Sequence, residues 1–253
     1  MDYIAIIIVA FGASMLTFFS GFGLGTMLTP VFLFFFPPEI AVAITAIVHF
    51  LNNLFKLLLV GKHAVKNVII SFGLPAIIGA FAGAAILGWL SQFNQEINLF
   101  SFQTTALNLV LGALIFVFAL FELMPAMEKK ELPSKMMFAG GVMSGFFGGL
   151  SGHQGALRSA FLVRFGLKKE QFIASGIVIA CLVDTIRIST YAFTFQLSHI
   201  SENITYILVA TLAAFAGAII GKQLLKKVTI DLLQKFVGGL MLIIAVLLFL
   251  GII

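Results

Sequence analysis

Charge is what this sequence lacks most. Asp, Glu, Lys and Arg make up only 10% of its 253 residues, against 61% hydrophobic, and the mean hydropathy is +1.15. So few charges cannot clothe a water-facing surface, which excludes a soluble domain and implies an integral membrane protein. Cysteine occurs once, at Cys181, which rules out an intrachain disulfide and argues against a Cys-rich metal centre. Alternating polar-in, apolar-out runs are missing, so a β-barrel is not expected. No cleavage site follows the first apolar segment, which is expected to stay as a membrane helix. There is no GxxxxGK[ST] for a nucleotide-driven pump, and His49, His63, His153 and His199 show no HExxH or His–Asp spacing for an enzyme. No catalytic residue, metal or cofactor is expected.

Long apolar segments recur at about 2–18, 40–61, 67–90, 103–121, 170–195, 203–221 and 233–253. Each is near the ~20 residues that carry a helix across ~30 Å of hydrocarbon. A pI of 9.4 does not point to nucleic acid, because the basic residues sit in short loops, where they act as topology signals. If 2–36 and 135–165 each cross once, Lys62, Lys66, Lys129, Lys130 and Lys135 oppose Arg164, Lys168, Lys169, Lys222, Lys226, Lys227 and Lys235. If each instead dips in and returns, all twelve share one face, and loops 37–39, 91–102 and 194–203 hold no Lys or Arg. The second arrangement obeys the positive-inside rule. It predicts two helical hairpins, each followed by three crossings, with both termini outside. A hairpin plus three crossings is an odd count, so the halves are inverted with respect to each other.

The halves also match in sequence. "SGFGLGTMLTPVFLFF" (20–35) aligns with "SGHQGALRSAFLVRF" (151–165), and "EIAVAITAIVHFLNNLFK" (39–56) with "EQFIASGIVIACLVDTIR" (170–187). Asn53 thereby pairs with Asp184 and Lys56 with Arg187. "AFAGAAI" (80–86) recurs as "AFAGAII" (214–220), and "VLGALI" (110–115) loosely as "VGGLML" (237–242). The expected fold is therefore an all-α polytopic membrane protein of two inverted repeats, each a re-entrant helical hairpin and three transmembrane helices. Repeat 1 covers 1–127, a charged linker 128–135, and repeat 2 covers 136–253. Inverted repeats are a recurrent build of secondary transporters, with the ligand at the midplane where the repeats meet.

A hairpin tip inside the membrane leaves backbone N–H groups unpaired, which hydrocarbon tolerates only inside protein or beside a wet cavity. Glycine allows the turn. The returning arms, expected to start near Thr26 and Ala156, would aim free N–H groups and a positive dipole end at the tip, a ready anion site. The candidate substrate-binding residues there are Ser20, Gly21, Gly23, Gly25, Thr26, Ser151, Gly152, His153, Gln154, Gly155 and Arg158. On the following helices Thr45, His49, Asn52, Asn53 and Lys56 form one polar stripe, matched by Asp184, Arg187 and Tyr191. His49, Asn52, Asn53, Lys56, Asp184 and Arg187 complete the candidate set. His49 is the candidate for proton coupling, since an imidazole titrates near neutral pH. Plainer readings stand beside these: glycines that only permit close helix packing, a Lys56 that snorkels to the surface, an Asp184–Arg187 pair that is structural, and a His49 that only packs.

The paired glycine-rich turns and the helices after them resemble the sulfite exporter TauE/SafE family along essentially the whole chain. Pro30 keeps the proline that commonly follows the family's glycine turn, and Ala160 replaces it in the second repeat. The resemblance implies a multi-pass protein of a prokaryotic inner membrane that exports a small sulfur-containing or organic anion such as sulfite, sulfoacetate or thiosulfate. The partners it implies are that anion, the lipid bilayer, and a proton or Na+ as coupling ion. An anion channel or an uptake symporter is the alternative.

Overall fold

The computed structural model describes residues 2–20, 24–93, 96–99, 102–124, 135–194, 202–224 and 230–253. Among the described residues, ten helices fall in two sets of five. The first set is α1 (Asp2–Ser20), α2 (Leu24–Phe32), α3 (Pro38–Val60), α4 (Lys66–Leu90) and α5 (Ala106–Leu123). The second is α6 (Lys135–Ser151), α7 (Gln154–Leu162), α8 (Lys169–Thr194), α9 (Ile204–Leu224) and α10 (Ile230–Phe249). Among the described residues, five stretches are long and apolar enough to cross a membrane: Pro38–His63, Lys66–Leu90, Ala106–Leu123, Lys169–Thr194 and Ile204–Gln223. The protein is an all-α polytopic membrane protein.

Local chemistry sets the boundaries. Pro37 and Pro38 open α3, where a missing N–H costs nothing, and Glu39 in its first turn complements the dipole, as Glu170 does in α8. The Thr105 side chain caps α5 by accepting from Asn108 N at 3.1 Å. Gly166, at φ +63°, ends the turn after α7. One element was not expected from the sequence. Residues read as loop hold a small antiparallel hairpin, β1 (Glu96–Leu99) and β2 (Phe102–Thr105), against which the end of α10 is fastened through Thr104 Oγ1 and the Leu248 carbonyl at 3.1 Å.

The returning arms are short. α2 and α7 have nine residues each, about 14 Å at 1.5 Å per residue, which is under half of a ~30 Å hydrocarbon core. Most of the helix packing follows a pattern that the exchange of α1–α5 with α6–α10 leaves unchanged. α1 packs on α9 as α6 packs on α4, α3 on α9 as α8 on α4, and α2 on α10 as α7 on α5. α3–α8, α5–α10 and α2–α7 each pair an element with its own counterpart. The start of α2 consequently meets the turn between α6 and α7.

Candidate functional site

The meeting point is built from glycine. A Cβ on Gly25, in the first turn of α2, would stand 3.2 Å from the Gly152 carbonyl oxygen, 3.6 Å from Thr45 Cγ2 and 3.9 Å from His49 Cδ2. Gly152 itself has φ +83°, a backbone conformation that suits glycine, and a Cβ there would crowd Arg187 Nη1 and Thr29 Oγ1, both at 3.2 Å. Two helix N-termini, those of α2 and α7, therefore begin beside one another at the break. They start at Leu24 and Gln154, two residues earlier than expected, because first-turn N–H groups have no intrahelical partner and glycine or glutamine can occupy that turn.

A polar network joins the helices around this point. Asp184 Oδ2 lies 2.6 Å from His49 Nδ1, which ties α8 to α3. Oδ1 accepts from Arg187 Nε at 2.9 Å and from Gln154 Nε2 at 3.1 Å, and Arg187 Nη2 completes an ion pair at 2.8 Å. Gln154 Oε1 accepts in turn from Arg158 Nη1 at 3.2 Å. Because a carboxylate only accepts, Nδ1 of His49 carries the shared proton. Asn53 Nδ2 lies against the same ring, 3.1 Å from Nδ1 and 3.2 Å from Nε2.

Arg187 and Tyr191 also cap the last carbonyls of α6. Arg187 Nη1 donates to Gly148 O at 3.4 Å, and the Tyr191 hydroxyl donates to Gly149 O. Helix ends inside a membrane need such partners. Lys56 is buried, at 4% exposure, so its side chain does not snorkel to the surface. Asn52 turns away from the tip and accepts from Ser14 Oγ of α1 at 3.0 Å.

Several buried polar atoms around the tips have no hydrogen-bond partner: Thr26, Thr29 and Thr45 Oγ1 and His153 Nε2. The His153 ring is held by Ser151 Oγ at 3.2 Å from Nδ1 and by stacking on Phe118, with centroids 5.5 Å apart. Of the residues expected from sequence, Gly25, Thr26, His49, Asn53, Ser151, Gly152, His153, Gln154, Gly155, Arg158, Asp184 and Arg187 lie in or beside this region. Gly21 and Gly23 lie outside the described residues, as does the side chain of Ser20. Sequence reasoning missed Thr29, one turn into α2, and Ser14 on α1. It also missed the His49–Asp184 pair, whose members stand 135 residues apart.

A bundle of apolar helices with a buried, charged centre at two helix breaks belongs to the class of membrane transporters. The chain is a member of the sulfite exporter TauE/SafE family, whose profile matches residues 6–248, nearly its whole length. It is thereby a membrane anion transporter. A comparison with curated proteins returned no match.

Proposed function

We propose that the protein is a secondary transporter that exports a small sulfur-containing or organic anion, such as sulfite, sulfoacetate or thiosulfate, across a prokaryotic inner membrane. The observation that carries this reading is the cluster of buried hydroxyl and imidazole atoms without partners where the N-termini of α2 and α7 meet. Unpaired polar atoms in a membrane interior are costly unless a ligand or water engages them. An oxyanion accepts from hydroxyl and backbone N–H groups, and the helix dipoles favour its charge. Arg158 and Arg187 add positive charge, while Asp184 holds Arg187 in place.

The exchange pattern of the helices and the one-sided placement of loop Lys and Arg support two inverted repeats with both termini outside. Single cysteines at Lys62 and Lys168 in a Cys181→Ser background then label from the cytoplasm only, and one at Gln92 from outside. Labelling of Lys62→Cys and Lys168→Cys from opposite faces would defeat the inversion.

The test of function is binding and counterflow. Purified protein is titrated with sulfite, thiosulfate and sulfoacetate, and proteoliposomes are assayed for exchange of labelled anion. Trans-stimulation identifies a carrier, and its absence in the presence of flux identifies a channel. His49 adds a proton to the scheme: an anion bound nearby draws a proton onto the neutral ring, so affinity rises as pH falls from about 8 to about 6. His49→Gln flattens that slope, and an unchanged slope in a folded variant returns His49 to packing.

A further inference from the structure

Glu122 has no part in the network above. It lies in the last turn of α5 at 2% exposure, and neither carboxyl oxygen has a hydrogen-bond partner. It continues the buried stripe Leu111, Ile115 and Phe118. Phe118 is the ring on which His153 stacks at the second tip, and it also meets Phe147 edge-on at 5.3 Å. Glu122 is therefore one helical turn, about 6 Å along the axis, from the residue that carries the imidazole with the unpartnered Nε2.

Among the described residues, the groups around it leave the carboxyl without a fixed counter-charge. α5 packs on α4, α6, α7, α10 and β2. The Leu74–Leu90 part of α4 and β2 carry no titratable side chain, and α6 contributes only Lys135, which is exposed at its first residue. On α7 there are His153, at the N-cap, and Arg158, whose Nη1 donates to Gln154 in the Asp184 network. On α10 the described charge is the exposed Lys235. A bare carboxylate is expensive in such surroundings, whereas the protonated acid is not.

Both ionisable groups are private to one side of the internal symmetry. In the sequence register His153 stands opposite Phe22, and the helix match at 110–115 and 237–242 places Glu122 opposite Phe249. Neither group is needed to make a repeat. We propose that Glu122 is a proton-binding site of this transporter, taking up and releasing a proton one turn from Phe118, the ring that stacks on His153 at the second tip. The site rests on the transport reading above. It differs from His49, whose ring nitrogens already face Asp184 and Asn53.

Dicyclohexylcarbodiimide reads the protonated acid directly: the reagent adds across the carboxyl O–H and rearranges to an N-acylurea, with nothing leaving. The parent protein in lipid gains one such adduct at Glu122, located by peptide mass, and labelling slows at least tenfold as pH is raised from about 6 to about 9. Thiosulfate, which carries no proton at neutral pH, serves as the transport probe. In proteoliposomes Glu122→Gln slows thiosulfate counterflow no more than threefold but abolishes the proton movement that accompanies net thiosulfate flux, read by an internal pH dye. Absence of the adduct at Glu122 overturns the proposal, and so does an adduct together with unchanged proton movement in Glu122→Gln. If the parent moves none of the three candidate anions, the transport reading fails. The labelling and its pH dependence still decide whether Glu122 binds a proton.

Discussion

α6 meets α4 through glycine on both sides, whereas α1 meets α9 through glycine on one side only. A Cβ on Gly141, Gly145 or Gly149 would overlap the carbonyls of Phe72, Ala76 or Ala80, and one on Gly79 or Gly83 would overlap those of Val142 or Phe146. Across the other seam, Gly217 lies against the Phe11 carbonyl and Gly221 crowds that of Met15, while a Cβ on Gly12 of α1 would meet nothing. In lipid, where apolar side chains gain little by leaving their surroundings, backbone approach of this kind drives helix association. The tips follow the seams. The second is fastened by Tyr191, Arg187 and a Ser144 Oγ bond to the Gln154 carbonyl at 3.1 Å, while Thr26 and Thr29 near the first have hydroxyls without partners. Among the described residues, the second hairpin is held by more ties than the first.

The largest expected effect tests the tighter seam. Gly145→Leu forces α6 off α4, so no folded protein is recovered in size-exclusion profiles, and Gly217→Leu leaves a larger folded fraction. Equal damage from the two would erase the contrast. Arg187→Ala comes next: it weakens thiosulfate binding by ~2–5 kcal/mol in titration calorimetry, the range for losing a desolvated charged partner. Asp184→Asn combined with Arg187→Ala does not restore binding. Wild-type transport in that double variant would mean that Arg187 serves only to neutralise Asp184.

Tyr191→Phe removes the hydroxyl that bonds Arg187 and strands the Gly149 carbonyl, a loss of ~1–3 kcal/mol visible as a lower melting temperature. Its counterpart position holds Val60, so no equivalent tie exists at the first tip. Smallest is Gly12→Ala, which places a methyl in open space within a helix and gains up to ~1 kcal/mol in the same melting assay. A lower melting temperature would show that α1 needs Gly12 for a contact.

Much of this was legible in the sequence because the repeats leave a register. The alignment of 39–56 with 170–187 gave the stripes on α3 and α8 and the Asp184–Arg187 pair, a local i, i+3 contact. It did not give His49 with Asp184, since pairing across a pseudo-symmetry axis has no characteristic spacing. The helix breaks were found from glycine and polar residues, but their edges were placed two residues late. The β-hairpin at Glu96–Thr105 was hidden because strands of four residues carry too little alternation to read. Glu122 went unremarked at the end of an apolar helix, where a carboxylate ordinarily reaches the membrane surface.

α4 carries a different kind of record. Residues Ile69–Gly73 wind as a π-helix inside an otherwise α-helical span, whereas its counterpart α9 is α-helical throughout Ile204–Leu224. A π-turn accommodates one extra residue without unwinding the helix on either side. It lies against α6, with Ser71 Oγ 3.3 Å from Met137 Sδ and the Phe72 carbonyl facing Gly141. On the two-repeat reading proposed above, the halves differ in length inside a helix as well as in their loops. A one-residue deletion within Ile69–Gly73 would restore the plain helix and keep Ala76–Leu90 in register, while turning Lys66–Val68 by about 100°.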